Sequence, residues 1–254
     1  MMGYLHQGHM SLVQAARIDC ATVVASIFVN PTQFATGEDF ERYPRNETND
    51  LALLEANGAD LVLLPGVEEV YTPGDTTRIR VDALTEVLEG ARRPGHFIGV
   101  ATVVAKLFHI VQPDRAYFGQ KDAQQLVVIR RMTRDLLLPV EVVGCPTVRE
   151  PDGLACSSRN VYLTPEQRQQ AVALSQSLRA AEAAFADGVR DPHTLRRLVR
   201  ERIEAQPLAA IDYISLADAS TLWELNADIE ASALLSLAVG FGNTHLLDNT
   251  TLVP

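Results

Sequence analysis

Runs of apolar residues alternate with amphipathic segments through the first part of the chain. Thr22 to Val29 (TVVASIFV) is rich in β-branched residues and ends at Asn30-Pro31, which predicts a strand buried on both faces. Leu61 to Leu64 is a second such run. Between them Leu51, Leu54 and Glu55 indicate a helix that ends at Asn57-Gly58. Together these segments predict one strand–helix–strand unit.

The same alternation continues. Gly99 to Gln112 carries apolar residues at helical spacing, namely Val100, Val103, Val104, Leu107, Phe108 and Val111. Arg115 to Phe118 and Val140 to Val143 are predicted strands. Asp122 to Leu137 is the predicted helix between them, and its inward residues should be Leu126, Ile129, Thr133 and Leu137. Repeated strand and helix predict a doubly wound α/β fold with a parallel sheet over residues 1–146.

The composition changes after Pro146. Long helices rich in Ala and Arg are predicted at about Pro165 to Ala186 and Pro192 to Ala205. Strands are predicted near Tyr213 to Leu216, Leu234 to Val239 and His245 to Leu247. We therefore expect a smaller C-terminal α+β domain over residues 147–254, with a loop able to close as a lid.

Composition and charge narrow the class of protein. With 254 residues, 47% hydrophobic and 21% charged, the chain is an ordinary globular sequence. The net charge of −10 predicts no general attraction to nucleic acid or membranes, so an anionic ligand needs a local site. An odd, scattered set of three cysteines favours a reduced, cytoplasmic protein. We find no signal peptide and no apolar run long enough to span a bilayer.

The first candidate site is His6-Gln7-Gly8-His9, directly before a predicted helix. The free N–H groups and dipole of a helix N-terminus favour phosphate, and Gly8 lets a ligand approach the backbone. Two histidines there could stabilise charge on a triphosphate during nucleotidyl transfer. Two surface histidines at a helix cap remain the alternative. A metal ion bound by the two histidines is disfavoured, because a third ligand is lacking.

Two further candidate sites carry positive charge. Gly119-Gln120-Lys121-Asp122 follows a predicted strand at its carboxyl end, where open α/β sheets bind ligands, and Lys121 could contact phosphate. A capping Asp122 beside a solvated lysine is the alternative. Cys156-Ser157-Ser158-Arg159 follows the predicted turn Pro151-Asp152-Gly153, and Arg159 could clamp a triphosphate. A plain serine-rich turn is the alternative.

The fourth candidate site offers amide groups. Gln33 lies just beyond the end of the first predicted strand, and Gln125 lies just beyond the Gly119-Gln120-Lys121-Asp122 segment. Each amide both donates and accepts hydrogen bonds, which suits a small acid with hydroxyl groups. A loop amide bonded to its own backbone is the alternative for Gln33. His96 could line the same crevice or be structural.

Four segments in this order resemble one family. They are MGYLHQGH, SIFVNPTQF, YFGQKDAQQ and TVREPDGLACSSRN, and the likeness is dense up to Leu163. The chain resembles the pantothenate synthetase (pantoate–β-alanine ligase) family of the HIGH nucleotidyltransferase superfamily, whose sheet is Rossmann-like. The resemblance implies a ligase that adenylates (R)-pantoate with ATP and Mg²⁺, and then forms pantothenate with β-alanine. It also implies a cytoplasmic homodimer acting in coenzyme A biosynthesis.

The resemblance implies roles for individual residues. His9, assigned as proton donor, would be catalytic together with His6, Lys121 and Arg159. Gln33 and Gln125 would bind pantoate, and Gln33 also β-alanine. Mg²⁺ would be held mainly by the ATP phosphates, without a metal site of side chains. The implied ATP-binding residues are Met2, Gly3, Tyr4, Leu5, His6, Gln7, Gly8, His9, Gly119, Gln120, Lys121, Asp122, Val148, Cys156, Ser157, Ser158 and Arg159.

The sequence departs from the family pattern at three places. Gln120 stands where the family usually has Glu, and Cys156 where it has Met or Leu. Family members also carry a segment before the position of Met1 that includes the first strand of the sheet. We therefore expect the 254-residue chain to be unstable or inactive without that strand. The alternatives are another HIGH-type nucleotidyltransferase or an inactive fragment of the ligase.

Overall fold

The computed structural model describes residues 1–35 and 40–254. The chain divides into two compact units. The first consists of Met1–Gln120 and Gln124–Pro146, and the second of Lys121–Ala123 and Thr147–Pro254. Each unit has its own hydrophobic core.

The first unit alternates helices and strands. Its elements are α1 (Gln7–Asp19), β1 (Val24–Ser26), α2 (Glu47–Ala56), β2 (Leu61–Leu63), α3 (Val67–Val70), α4 (Glu89–Arg92), α5 (His96–Val111), β3 (Arg115–Gly119), α6 (Ala123–Asp135) and β4 (Glu141–Cys145). A short 3₁₀ helix occurs at Pro31–Gln33, and another at Gln120–Asp122 begins in the first unit and ends in the second. The elements predicted from the apolar pattern are all present, although the regular part of β1 covers only three residues.

Parallel strand pairing is confirmed, and it occurs in two pairs. β1 pairs with β2, with Ala25 opposite Val62, and β3 pairs with β4, with Tyr117 opposite Val143. In the described ranges these pairs form separate two-stranded sheets. The Met1 carbonyl accepts from the Phe28 N–H, just beyond the end of β1, at 2.9 Å.

The core of the first unit lies between α1, α2 and the strands. Met10, Val13 and Ala16 of α1 pack with Val23 and Leu54, which is fully buried. Helix α5 is apolar on nearly all sides and lies against the Pro31–Gln33 turn. A Cβ atom on Gly99 would lie 2.5 Å from the Thr32 carbonyl oxygen, so only glycine permits this approach.

The predicted inward face of α6 is right at three positions and wrong at the fourth. Leu126, Ile129 and Thr133 are buried, whereas Leu137 is 88% exposed. The helix ends at Asp135, and Leu137 adopts a left-handed conformation with φ of 54°. The Leu138 N–H then donates to the Thr133 carbonyl oxygen at 3.0 Å. This is a helix-ending turn, so the helical spacing does not extend to Leu137.

The second unit is an antiparallel sheet covered by helices. Its elements are α7 (Pro165–Ala171), α8 (Ala173–Ala186), α9 (Pro192–Glu204), β5 (Ala209–Asp218), β6 (Ala233–Phe241) and β7 (Thr244–Leu252). The strand order is β5-β6-β7, and every residue of the central strand is buried. One helix was predicted over Pro165 to Ala186, but the structure has two, separated at Val172. None of the helices described reaches the length and apolarity needed to span a membrane.

Candidate active site

Both predicted histidines lie at the N-terminus of α1. His6 is the N-cap residue, and its Nδ1 accepts from the Gly8 N–H at 3.1 Å. The His9 Nδ1 accepts from the His6 N–H at 3.2 Å, and the two ring centroids are 4.1 Å apart. Because each Nδ1 accepts a hydrogen bond, each neutral ring carries its proton on Nε2. The helix N-terminus therefore bears two imidazole Nε2–H donors.

The loop before α1 is bent by left-handed backbone at Gly3 (φ 92°) and Tyr4 (φ 51°). The N–H groups of Tyr4 and Leu5 each donate to the Asp50 carboxylate at 2.7 Å. Asp50 lies on α2 and is 1% exposed. Asp50 was not among the site residues predicted from the sequence. Its position four residues before the buried Leu54, on the apolar face of a predicted helix, was the available signal.

Gln33 is buried next to residues 2–9, which we call the histidine loop. Its Oε1 accepts from Asn30 Nδ2 at 3.2 Å, and its Nε2 lies 2.9 Å from the Met2 sulfur. Asn30 is itself fixed, since its Nδ2 also donates to the Gly99 carbonyl at 3.2 Å and its Oδ1 accepts from the Tyr71 hydroxyl at 2.8 Å. Asn30 was likewise not predicted to have a role of its own.

His96 contacts the turn that carries Gln33. Its Nδ1 lies 2.8 Å from the Gln33 carbonyl oxygen, and a guanidinium nitrogen of Arg93 lies 3.4 Å from the same oxygen. His96 therefore supports the backbone of this turn.

The loop after β3 is a 3₁₀ turn over Gln120–Asp122 that begins next to Gly119. The Lys121 ammonium lies 3.5 Å from the Asp122 carboxylate. The backbone carbonyl of Lys121 accepts from Asn249 Nδ2 at 2.8 Å. Gln125 is half-buried one helical turn later. Gln124 is structural, because its Nε2 donates to two backbone carbonyls at 2.8–2.9 Å.

The serine-rich segment of the second unit, residues 156–159, is held by hydrogen bonds of the backbone and of Ser157. The Cys156 N–H donates to the Val148 carbonyl at 2.9 Å, across the turn that contains Gly153 (φ 99°). Ser157 caps the 3₁₀ helix Ser158–Tyr162, and its Oγ accepts from the Arg159 N–H at 3.3 Å. Burial, reinforced by the Glu150 carboxylate, raises the pKa of the Cys156 thiol. Cys156 is therefore poorly suited to act as a thiolate nucleophile.

Within the first unit, the structure brings His6, His9, Met2 and Gln33 together. Within the second unit, Cys156 is hydrogen-bonded to Val148, and Arg159 is hydrogen-bonded to Ser157. The described ranges contain no group of three or more His, Cys, Asp or Glu side chains that could hold a metal ion.

A family model described as pantoate-beta-alanine ligase matches residues 1–251. The chain belongs to the pantoate–β-alanine ligase family. It is 59% identical to a pantothenate synthetase of Chloroflexus aurantiacus over 251 residues, which covers 99% of this chain and 89% of that protein. It is also 59% identical to a pantothenate synthetase of a Roseiflexus species, covering 99% of this chain and 90% of that protein.

Solved structures of the family have the same fold. The crystal structure of pantothenate synthetase from Thermus thermophilus has a TM-score of 0.96 at 52% identity, covering 100% of this chain and 91% of that one. A pantoate-beta-alanine ligase from Francisella tularensis has a TM-score of 0.78 at 32% identity, covering 98% of this chain and 86% of that one. That structure is described as a complex with beta-gamma ATP and beta-alanine. Membership of this family confirms the predicted ligase class and the α/β fold.

Proposed function

We propose that this chain condenses (R)-pantoate with β-alanine to give pantothenate, AMP and pyrophosphate through a pantoyl adenylate. One observation carries the proposal. Two imidazoles lie at the N-terminus of α1, and the Gln33 amide lies against Met2 of the same loop. A helix N-terminus suited to phosphate and an amide suited to a small polar acid therefore lie side by side, which supports the proposal.

ATP is the proposed nucleotide. The N-terminus of α1 offers a positive dipole end, and Gly8 places no side chain over it. The Francisella tularensis relative, described as a complex with an ATP compound, supports the same ligand here. We assign ATP binding to the loop of residues 2–9. Residues 119–122, Val148 and residues 156–159 remain proposed contributors.

In the first half-reaction, a pantoate carboxylate oxygen attacks the α-phosphorus of ATP and pyrophosphate leaves. Negative charge grows on the phosphate oxygens during this displacement. The Nε2–H groups of His6 and His9 are donors suited to that charge, and His9 is the proposed proton donor to the leaving pyrophosphate. Lys121 and Arg159 are the proposed cationic contacts to the phosphates.

In the second half-reaction, the β-alanine amine attacks the acyl carbon and AMP leaves with the bonding electron pair. The amine nitrogen loses its proton as the amide forms. Gln33 would hold pantoate through its Nε2 donor, because its Oε1 already accepts from Asn30. Gln33 would also contact β-alanine, and Gln125 is the second proposed pantoate residue.

Mg²⁺ is the proposed metal, carried by the ATP phosphates. Mg²⁺ commonly binds through substrate phosphates and few protein ligands. When bound, it would neutralise part of the phosphate charge. We also propose a cytoplasmic homodimer; light scattering would test the dimer.

Product analysis tests the proposal. The purified chain is incubated with ATP, Mg²⁺, (R)-pantoate and β-alanine, and products are quantified by mass spectrometry. The proposed function predicts pantothenate, AMP and pyrophosphate in equal amounts, and none when pantoate is omitted. Absence of all three products would instead agree with the inactive chain expected from the sequence. ADP and phosphate would show a different activation chemistry. Transfer of AMP to another acceptor, without pantothenate, would show a different nucleotidyltransferase.

A further inference from the structure

We propose that Asp50 is a positioning residue that holds the histidine loop in its working shape. This inference rests on the proposed role of that loop in ATP binding. The Asp50 Oδ2 accepts from the Tyr4 N–H and its Oδ1 from the Leu5 N–H, both at 2.7 Å. One carboxylate therefore binds two consecutive peptide groups of the loop.

The burial of Asp50 makes its two hydrogen bonds to the Tyr4 and Leu5 N–H groups energetically important. Asp50 is 1% exposed, and removing a carboxylate from water is unfavourable unless hydrogen bonds satisfy its oxygens. Bonds between an ionised carboxylate and N–H groups are stronger than bonds between neutral partners. Here one such bond falls on each oxygen.

The loop requires this support because its backbone is strained. Tyr4 has φ of 51°, which is uncommon for a residue with a side chain. Gly3 has φ of 92°, and a Cβ there would lie 3.3 Å from Asp50 Oδ2. Strained backbone persists at functional sites where surrounding contacts fix it.

The effect of Asp50 reaches the histidines through the chain itself. Leu5, which Asp50 holds, is followed directly by the N-cap residue His6. The His6 N–H in turn donates to His9 Nδ1. A shift at Tyr4 and Leu5 therefore changes the orientation of both imidazoles.

Electrostatics separate this role from direct binding. A negative carboxylate beside a phosphate-binding loop opposes the anion rather than attracting it. A contribution to the reaction must therefore come through geometry, and misplacement by about 1 Å can lower a rate about 100-fold.

The test uses Asp50→Asn in the full chain, with Glu55→Gln as the control. Asparagine keeps the size of the side chain but has one acceptor oxygen for two N–H groups. Glu55 is an exposed acid on the same helix. For each protein we would measure the melting temperature and the kcat and KM for ATP in pyrophosphate exchange.

We expect folded Asp50→Asn to lose about 10- to 100-fold in kcat with a small change in the KM for ATP, and Glu55→Gln to match the unmodified chain. Wild-type kcat in Asp50→Asn, or a loss equal to its unfolded fraction, would overturn the inference.

A second measurement does not depend on activity. The imidazole NMR signals of His6 and His9, assigned with His6→Gln and His9→Gln, should shift in Asp50→Asn and not in Glu55→Gln. Unshifted signals would overturn the inference even if the chain proved inactive. Inactivity of the unmodified chain with shifted signals would instead count against the proposed function alone.

Discussion

Asn30 Nδ2 donates to Gln33 Oε1 at 3.2 Å and thereby fixes which way the Gln33 amide faces. Asn30 is 1% exposed and is held in turn by the Gly99 carbonyl and the Tyr71 hydroxyl. Gln33 therefore presents its Nε2 as a donor. A substrate carboxylate or hydroxyl oxygen is the natural partner of such a group.

Asn30→Asp is expected to raise the KM for pantoate about tenfold or more, with a smaller effect on kcat. The new carboxylate cannot donate to Gln33 Oε1, so the amide loses its fixed orientation. Steady-state kinetics with varied pantoate measure this, and the exposed Asn49→Asp is the matched control. An unchanged KM in Asn30→Asp would refute the orienting role.

His9→Ala and Lys121→Ala are expected to lower kcat far more than they raise the KM for pantoate. Both groups should act on charge that develops in the transition state, and each should cost about 2.5–4 kcal/mol. Gln33→Ala should instead raise the KM for pantoate strongly. The exposed His193→Ala serves as control. Equal KM effects in His9→Ala, Lys121→Ala and Gln33→Ala would defeat these assignments.

The sequence predicted most elements because the apolar spacing is strong. Val100, Val103 and Val104 fall on one face of a helix, and all are buried. Leu137 shows the limit of that reasoning. Its spacing matches the helix, but a left-handed turn ends the helix at Asp135. Backbone conformation after a helix depends on the next strand, which spacing does not encode.

The histidine cap could be predicted, since His6 and His9 lie at the start of an apolar pattern. Asp50 and Asn30 could not be assigned, because their roles depend on contacts between residues distant in sequence. Asp50 is 45 positions from Leu5, and Asn30 is 69 from Gly99. A polar residue on an apolar face predicts burial with a partner, but not which partner.

Asp152 should make the stability of the second unit depend on acid pH. The Arg168 guanidinium, 2.6 Å away, holds the pKa of Asp152 below its ordinary value. The ionised pair then adds stability above the unfolded pKa of about 3.9, and this is lost as pH falls through the lower folded pKa.

Asp152→Asn is therefore expected to lower the urea midpoint at about pH 6 and to reduce its fall towards about pH 3. Arg168→Met should reduce the same fall, since it removes the guanidinium. Urea titrations of both variants across this range provide the measurement. An undiminished fall in both would contradict the assignment.

Leu195→Ala should destabilise the second unit by about 2–5 kcal/mol, because Leu195 is fully buried in its core. Arg197 lies on the same helix with its side chain 68% exposed, so Arg197→Ala should change stability by about 0.5 kcal/mol or less. Chemical denaturation distinguishes them. Similar losses in both variants would show that the core is wrongly assigned.

Exchange of labelled pyrophosphate into ATP tests the adenylate mechanism most directly. An amide cannot form from a carboxylate and an amine until a better leaving group is made, and the adenylate provides one. We predict exchange that requires pantoate and proceeds without β-alanine, and that is lost in His9→Ala. Exchange that appears only when β-alanine is present would contradict a free-standing pantoyl adenylate step.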